Sequence, residues 1–525
     1  MDPSEELRAL RQEAAALRYE LARLRDRRTV RAALAVSAWP RGGPRSAWAA
    51  LRGRGPRLDV PGPVAPPPRP PFPHLRVVAT GSGDLLTGAC SLTRVGPGDA
   101  ALILARDRPD LLLLDELQGW DRPAIADLVG SARRSGAAVV TVGGAARAAV
   151  STTDLHVDVT GRELDALHLP PPVDVRAWSP TGLDTAAPAH QLELGAVGPV
   201  EARRQPVVVA PEASALRTLT LMSAGALVVT VRTPVLASAL EGLDEATTAL
   251  VLAEPDATEE ALHVRAGLLL SDDDLRHRVS VRLRRVIHRR CSTRRAVLSL
   301  VAALGWDDPP SERISVLLPT RRPDRLAQVL EDLAGQRHPD VELILLVHGD
   351  GPVPEPLPPT AHVRRVPADR PLGAVLAAGL EVISGAYAAK VDDDDRYGGD
   401  HLGDLVLALQ TSGADLVGRR THGVYLEEHD RTIHPPPSGE ERFEDHLPGG
   451  TLLLPADVLR AVRWRHVPRA VDTELVRAVH LAGGSAYSSH RYGYVRVRHD
   501  DHTYDAPEGW AGSHVEGFDA SLLEA

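Results

Sequence analysis

The sequence predicts an α/β protein with parallel sheets, arranged in two successive regions. Short apolar runs such as "LRVVAT", "DLLLLDE" and "AAVVTVGG" alternate with helical patterns such as "PAIADLVGSARRSG". The alternation starts again further along the chain with "ISVLLPT", "VELILLVHGD" and "AYAAKV". Apolar runs of this length with helical segments between them are typical of βαβ units, in which a helix joins two parallel strands.

The composition is typical of a soluble globular protein with two or three domains. The chain has 525 residues, of which 43% are hydrophobic and 25% are charged, and its formal net charge is −10. This negative charge argues against a general nucleic-acid binder, because such domains are normally basic. Cys90 and Cys291 are the only cysteines and lie far apart, so we expect no disulfide framework and no cysteine-based zinc site.

The first residues predict neither a secretory signal nor a membrane anchor. The chain opens with the charged stretch "MDPSEELRALRQ". No apolar run approaches the roughly 20 residues that a membrane helix needs. Together with the cysteine usage, these features lead us to expect a cytoplasmic protein.

Residues 1–38 predict an amphipathic helix or coiled coil. Over residues 4–34, apolar side chains follow the 3-4-3-4-3 spacing of heptad positions a and d, at Leu7, Leu10, Ala14, Leu17, Leu21 and Leu24. This pattern fits a helix packed on its own protein and equally a helix that self-associates or binds a partner. Residues 39–74 are rich in Pro, Gly and Arg and predict a semi-rigid linker, because proline fixes φ and removes backbone donors.

The remainder of the chain divides into two α/β domains. The first covers 75–304, a polar break covers 305–312, the second covers 313–505, and a C-terminal tail covers 506–525. The arginine-rich run at 276–290 keeps apolar residues at helical spacing, at Val279, Val281, Leu283, Val286 and Ile287. We expect a helix there with one buried stripe and a solvated charged face, with binding of an anionic ligand as the alternative.

Four consecutive aspartates, Asp392 to Asp395, follow the predicted strand "AYAAKV" directly. Ligands of open α/β sheets bind beyond the carboxyl ends of the strands, so this position favours a binding site. Asp392 and Asp394 would leave an extended strand on the same side and could share one divalent cation, for which oxygen ligands suit Mg²⁺ or Mn²⁺. A bound cation would also remove the repulsion between the carboxylates. A solvated acidic turn is the alternative.

Residues 313–505 resemble a family 2 glycosyltransferase of the GT-A fold, because several segments follow the family's order. "ISVLLPTRRPDRLAQVLEDLAGQRHPDVELILL" resembles the nucleotide-binding opening, and "LGAVLAAGLEVISGAYAAKVDDDDRY" the helix and strand that lead to the D-x-D signature. "PGGTLLLPADVLRAVRW" resembles the acceptor-side segment, "AVDTELVRAVHLAGG" the helix with the catalytic base, and "YGYVRVRHDDHTYD" the closing strand and loop.

The resemblance implies an inverting, metal-dependent enzyme that transfers sugar from a nucleotide-diphosphate (NDP) sugar, UDP-linked or other. The acceptor hydroxyl would belong to a glycan, a lipid-linked molecule or a protein, in the synthesis of cell-surface polysaccharide or glycoconjugate. The catalytic base would be Asp472, whose alternative role is an N-cap of its helix. The residues implied on the donor side are Pro319, Thr320, Arg321, Asp350, Lys390, Asp392 and Asp393. The ligands implied for Mn²⁺ or Mg²⁺ are Asp392, Asp394, Asp395, His499 and His502. The acceptor side would hold Gly449, Gly450 and Thr451.

Several of these assignments have simpler alternatives. Lys390, the only lysine in the chain, could merely compensate the charge of the aspartates, and His499 and His502 could be surface loop residues. Asp393 could face away from the working pair. The chain also departs from the family at Val347-His348-Gly349-Asp350, where Asp-Asp-Gly is common, and at Ala378, where Asn is common. The first departure leaves a uridine-specific donor unsupported.

Residues 75–304 resemble, more loosely, a GT-B glycosyltransferase of the family 1/4 type, close to CgeB-like domains. The segment "LRTLTLMSAGALVVTVRTPVLASALEGL" carries this resemblance. Thr220 stands where active relatives have the glutamate that holds the donor ribose, and 196–212 lacks the usual Gly/Lys-bearing donor loop. We therefore expect a degenerate, non-catalytic module for scaffolding or acceptor binding, with a second active transferase as the alternative.

Two other functions compete with the transferase. A nucleotidyltransferase would need a Gly-rich, Lys/Arg-bearing triphosphate loop, which the opening strand lacks. A non-catalytic coiled-coil assembly protein that binds glycans or partners fits the altered Val347–Asp350 segment and the degenerate first domain. The retained Asp392, Asp394 and Asp472 favour the enzyme.

Overall fold

The computed structural model describes residues 72–525, apart from gaps at 82–83, 87–88, 151–152, 160–165, 176, 182, 184–189, 307–310, 354, 437–438 and 500–511. The coiled coil predicted at 4–34 and almost all of the predicted linker lie outside the described residues. Where it is described, the chain is mixed α/β with parallel sheets, as its sequence predicts. No helix in these ranges is long and apolar enough to cross a membrane.

The first region contains a six-stranded sheet in the order β2-β1-β3-β4-β5-β6, with every neighbouring pair parallel. Its strands are β1 (Phe72–Ala79), β2 (Cys90–Arg94), β3 (Leu111–Leu114), β4 (Ala138–Val142), β5 (Leu155–Asp158) and β6 (Leu167–His168). Its helices are Ala100–Asp107, Arg122–Arg134 and Gly143–Ala149. All four leucines of β3 are buried, because the sheet is covered on both faces. The sheet begins at Phe72, just inside the predicted linker.

A separate three-stranded parallel sheet follows in the order β7-β8-β9. Its strands are β7 (Val207–Val209), β8 (Leu227–Val231) and β9 (Leu252–Ala253). The helices around it are Pro199–Ala202, Ala215–Ala224, Pro234–Ala239, Glu245–Val251, Glu259–Ser271 and Asp273–Arg290. The next helix, Thr293–Ala303, instead packs on the core of the six-stranded sheet. Side-chain caps from Thr258, Asp272 and Ser292 begin the last three helices and account for the breaks between them.

The C-terminal domain is built on an eight-stranded mixed sheet in the order β12-β11-β10-β13-β19-β15-β20-β18. The strands are β10 (Ile314–Thr320), β11 (Val341–His348), β12 (His362–Val366), β13 (Tyr387–Lys390), β15 (Leu416–Gly418), β18 (Arg442–Phe443), β19 (Leu453–Pro455) and β20 (Ala486–Ser488). The helices are Ala327–Ala334, Leu372–Gly379, His401–Ser412, Ala456–Val462 and Val471–Leu481. Strand β10 runs parallel to both β11 and β13 and is buried at all seven residues.

A smaller sheet, in the order β14-β21-β16-β17-β22, lies beside the aspartates. Its strands are β14 (Arg396–Tyr397), β16 (Gly423–Leu426), β17 (Arg431–His434), β21 (Tyr494–Arg498) and β22 (Ser513–Glu516). Strand β22 pairs with β17, and Leu522 and Ala525 are buried. Within the predicted C-terminal tail, the segment 512–525 therefore completes a sheet and buries apolar side chains.

The helix Asp273–Arg290, called the arginine helix below, joins the two regions. Its predicted apolar stripe is confirmed, because Val279, Val281, Leu283 and Ile287 are buried and Val286 is partly buried. The prediction of a solvated charged face is wrong. Arg284 pairs with Glu441 at 2.6 Å, and Arg285 pairs with Asp404 at 2.8 Å. The charged face is therefore packed against acidic residues of the C-terminal domain.

Candidate functional site

The aspartates lie at the carboxyl ends of two neighbouring parallel strands, β10 and β13. The Oγ1 of Thr320, the last residue of β10, donates a hydrogen bond to Oδ2 of Asp393 at 2.5 Å. The Nη2 of Arg322 donates to Oδ1 of Asp393 at 2.9 Å and to Oδ2 of Asp394 at 2.7 Å. The end of β10 therefore holds two of the four carboxylates.

The backbone of the aspartates differs from the extended strand that the sequence suggested. Strand β13 ends at Lys390, and a turn occurs at residues 393–394. Asp392 and Asp394 therefore do not lie on an extended strand, and the prediction that they leave such a strand on the same side is wrong. Asp393 does not face away, because it is held by β10 and is only 11% exposed at its side chain. Burial raises the pKa of Asp393, while Thr320 and Arg322 oppose this rise.

Lys390 brings Asp392 and Asp472 together. Its Nζ lies 2.6 Å from Oδ1 of Asp392 and 3.3 Å from Oδ1 of Asp472, and its side chain is only 3% exposed. Burial disfavours the charged amine, yet the two carboxylates raise the pKa of Lys390 above its ordinary value. Two acids that are distant in the sequence thus share one buried ammonium group, as a convergent site requires.

Asp472 lies in the first turn of the helix Val471–Leu481. The N-cap of this helix is Ala470, which has a left-handed backbone, and no side chain caps it. The alternative role of Asp472 as an N-cap is therefore wrong. Burial raises the pKa of Asp472, repulsion from Asp392 adds to the rise, and the charge of Lys390 opposes it.

Two glycines allow the backbone to approach these carboxylates. A Cβ added to Gly449 would lie 1.9 Å from Oδ2 of Asp472. A Cβ added to Gly450 would lie 2.9 Å from Oδ2 of Asp395 and 3.0 Å from Oδ2 of Asp392. The predicted acceptor-side glycines thus border the acidic group directly. Thr451 is buried, and its Oγ1 donates to the carbonyl of Pro448 at 3.0 Å, so this hydroxyl is engaged within the turn.

Asp395 lies beneath the other aspartates. It is buried, and it accepts hydrogen bonds from the hydroxyl of Tyr494 at 2.5 Å and from the backbone N–H of Val497 at 2.9 Å. Burial, followed by repulsion from Asp392 and Asp394, raises the pKa of Asp395 to about 7. Through these two hydrogen bonds, the carboxyl group connects strand β21 to the segment of the aspartates.

The other predicted donor-side residues lie nearby on β10 and β11. Pro319 is buried within β10, and Asp350 is exposed just beyond β11. The Nε of Arg321 donates to Nδ1 of His348 at 2.9 Å. Burial and the charge of Arg321 lower the pKa of His348, so the imidazole is a neutral acceptor of this bond.

Of the two predicted histidine ligands, His499 is among the described residues. The structure brings Nδ1 of His499 to within 2.5 Å of Oε2 of Glu427, at a 3₁₀ turn next to strand β16. His502 lies outside the described residues. In the ranges that are described, no three His, Cys, Asp or Glu side chains form a group that could hold a metal ion by themselves.

The aspartates nevertheless fit a hard divalent cation. Asp392 contacts Lys390 through Oδ1, and Asp394 contacts Arg322 through Oδ2, so each of these contacts uses one oxygen of its carboxylate. The two side chains are 29% and 19% exposed. Mg²⁺ is commonly held by one or two carboxylates together with substrate phosphates and water, and such a site needs no third protein ligand.

Arg322 and Arg496 are site residues that the sequence did not reveal. Arg322 binds two of the aspartates, and Arg496 lies on β21 beside them. Tyr494 makes the largest contribution to raising the pKa of Arg496, and Asp395 and Asp392 raise it further, whereas burial opposes the rise. Arginine supplies all the fixed positive charge of the chain except at Lys390, so residue type alone could not single out these two.

Comparison with known proteins finds distant structural similarity only. No family model and no curated protein matches the chain. S. aureus TarS 1–349 is 14% identical with a TM-score of 0.29, over 35% of this chain and 60% of that chain. The complex of TarS 1–349 with UDP-GlcNAc is 14% identical with a TM-score of 0.30, over 36% and 60%. This chain thus spans about 60% of TarS 1–349, and similarity at this level does not establish an activity.

Proposed function

We propose that the C-terminal domain is a glycosyltransferase that moves a sugar from an NDP-sugar to a hydroxyl acceptor. The observation that carries the proposal is the convergence of Asp392 and Asp472 on the buried Lys390, at the carboxyl ends of β10 and β13. This edge of a parallel sheet is where α/β proteins bind their ligands. The ordered segments that resemble family 2 glycosyltransferases add support.

The donor diphosphate would lie between the aspartates and the arginines around them. A cation, Mn²⁺ or Mg²⁺, would rest on Asp392 and Asp394 and act as a Lewis acid toward the leaving phosphate. Arg322 and Arg496 supply permanent positive charge at the same edge. Asp395, the predicted additional ligand, accepts hydrogen bonds from Tyr494 and Val497 of β21. These bonds would fix the orientation of the neighbouring aspartates.

Asp472 would be the general base. As the acceptor oxygen forms its bond to the anomeric carbon and the NDP leaves, the carboxylate takes the proton of the acceptor hydroxyl. Attack from the face opposite to the leaving group inverts the anomeric configuration. Burial raises the pKa of Asp472 and makes the carboxylate more basic, whereas the charge of Lys390 opposes this rise and favours the ionised form.

We further propose that the first α/β region is a scaffolding or acceptor-binding module. The arginine helix fixes it to the C-terminal domain through buried ion pairs, and the bonds from Arg278 to the carbonyls of Ser521 at 2.6 Å and Glu524 at 2.5 Å add to this contact. Self-association through 4–34, a cytoplasmic location and a role in cell-surface glycan synthesis complete the proposal.

The proposal is tested by incubating the protein with a panel of NDP-sugars, Mn²⁺ and acceptor extracts, and measuring the release of nucleoside diphosphate. Asp394→Ala should abolish the Mn²⁺-dependent release. Asp472→Asn should lower turnover by about 10²- to 10⁴-fold while nucleotide binding persists, because only the proton acceptor is lost. Asp340→Asn, at a carboxylate that is 47% exposed in the same domain, serves as the control and should match wild type. The absence of Mn²⁺-dependent release with every donor would refute the proposal.

A further inference from the structure

Arg322 and Lys390 neutralise the aspartates from two different kinds of position. The side chain of Lys390 is 3% exposed and is held between Asp392 and Asp472 inside the domain. The side chain of Arg322 is 30% exposed and lies beyond the end of β10, at the N-cap of the 3₁₀ turn Pro323–Arg325. Lys390 is therefore a fixed internal cation, whereas Arg322 lies at the rim of the site, where solvent and a ligand can reach it.

The contacts of Arg322 place it on a carboxylate that the proposed metal would need. One nitrogen, Nη2, binds both Oδ1 of Asp393 and Oδ2 of Asp394, at 2.9 and 2.7 Å. A guanidinium nitrogen and a divalent cation on the same carboxylate repel each other over a few ångströms. A metal bound through the other oxygen of Asp394 therefore weakens this contact and favours the departure of Arg322.

A diphosphate would give the displaced guanidinium a new partner. Arginine binds phosphate oxygens through strong charge-assisted hydrogen bonds, and its planar group can form two at once. The backbone N–H of Arg322 donates to Oγ1 of Thr320 at 2.9 Å, so the main chain stays tied to the end of β10 while the long side chain can turn.

We propose that Arg322 is an exchangeable counter-ion of the site, an inference that rests on the proposed function. Without donor, it neutralises Asp393 and Asp394. When the divalent cation and the NDP group bind together, Arg322 leaves Asp394 to the metal and contacts the diphosphate. Metal alone then competes with Arg322, whereas metal and nucleotide strengthen each other's binding, as coupled ligands must do reciprocally.

This mechanism predicts opposite effects of one substitution on two ligands. Arg322→Gln removes the competing charge and should tighten the binding of Mn²⁺ alone by about two- to fivefold, the range expected for one partly exposed ion pair. The same variant should bind nucleoside diphosphate more weakly in the presence of saturating Mn²⁺, by about tenfold, because a phosphate contact is lost. Arg322→Lys keeps the charge, so its affinity for Mn²⁺ alone should stay close to wild type.

The experiment measures free Mn²⁺ by electron paramagnetic resonance during titration of the full chain, and nucleotide binding by calorimetry with UDP, GDP, CDP and ADP. Arg325→Gln is the matched control, because this arginine lies in the same turn and is exposed, and neither affinity should change. Thermal unfolding of each variant verifies that it is folded.

Unchanged or weaker binding of Mn²⁺ alone to Arg322→Gln would overturn the inference, and so would failure of Mn²⁺ to bind either protein. If the wild type turns over an NDP-sugar while Arg322→Gln binds Mn²⁺ like the wild type, the exchange is refuted and the proposed function stands. If Arg322→Gln binds Mn²⁺ more tightly while no nucleotide binds to any variant, the competition holds, but the NDP-sugar function and the exchange onto a diphosphate both fail.

Discussion

Arg285, which joins the arginine helix to the C-terminal domain, is predicted to contribute strongly to the stability of the protein. Its Nε and Nη2 donate to Oδ1 and Oδ2 of Asp404 at 2.8 and 2.9 Å, and its Nη1 lies 3.0 Å from Oδ2 of Asp400. The side chains of Arg285 and Asp404 are 14% and 4% exposed. Burial would raise the pKa of Asp404, but Arg285 and His490 hold it well below its ordinary range, so the carboxylate is charged.

Replacing Arg285 by methionine keeps the apolar stem but leaves a buried carboxylate without its two-bond partner. Loss of one member of a buried pair costs about 3–5 kcal/mol. Arg290→Met on the same helix removes a pair with Glu241 whose side chains are 36% and 71% exposed, and it should cost about 1 kcal/mol or less. The double variant Arg285→Met with Asp404→Leu should recover only part of the loss. It removes the uncompensated carboxylate, but the buried Arg419, 3.9 Å from Asp404, then loses this nearby negative charge.

The assay is urea unfolding followed by circular dichroism and tryptophan fluorescence. We expect Arg285→Met to lower the midpoint far more than Arg290→Met and to separate the transitions of the two α/β regions, because their connection is weakened. Equal costs for the two variants would refute the reasoning, since the buried pair would then contribute no more than the exposed one. A double variant that is less stable than Arg285→Met would contradict the charge argument in particular.

Three further predictions concern the site and the interface. Gly449→Ala should reduce transfer by at least tenfold in the NDP-release assay, because its Cβ would lie 1.9 Å from Oδ2 of Asp472. The control Gly267→Ala lies at an open helical position and should gain about 1 kcal/mol of stability. Lys390→Met should raise the pKa of Asp472, because the positive charge that opposes the rise is removed. The acidic limb of the pH–rate profile should then move to higher pH. Burial lowers the pKa of His288 to about 4. As pH falls from about 6.5 to about 4, the unfolded state binds a proton at His288 and the folded state does not, so the free energy of unfolding should fall by up to about 3 kcal/mol. Urea unfolding of His288→Gln should not show this part of the pH dependence.

Each of these predictions has a clear contrary result. Full activity of Gly449→Ala would mean that the backbone at this turn need not touch Asp472. If the acidic limb of the pH–rate profile does not shift in Lys390→Met, the group whose ionisation limits the rate at low pH is not Asp472. For His288, the same loss of stability with falling pH in His288→Gln and wild type would place the titration on other groups.

The sequence predicted those parts of the structure that local patterns determine. The alternation of apolar runs located β10, β11 and β13, and the rule for strand ends correctly placed the aspartates at a sheet edge. The apolar stripe of the arginine helix was also predictable, because helical spacing alone decides which side chains share a face.

Pairings between distant charges were not predictable. The charged face of the arginine helix resembles a solvated face until Asp404 and Glu441, more than a hundred positions later, are brought against it. Arg322 is likewise one arginine among many, and only folding places it on Asp393 and Asp394. Asp472 was identified through a resemblance, and its contact with Lys390 depends on how a distant helix packs on the sheet.

The most direct test of a sugar-transfer site at the aspartates is a crystal structure with Mn²⁺ and the nucleoside diphosphate that binds best, measured at the manganese absorption edge. We expect one anomalous peak at bonding distance from Asp394 and from the diphosphate, with Asp472 within the width of a sugar ring of the terminal phosphate. A nucleotide and metal bound elsewhere, or Asp472 turned away from that phosphate, would contradict the proposed site.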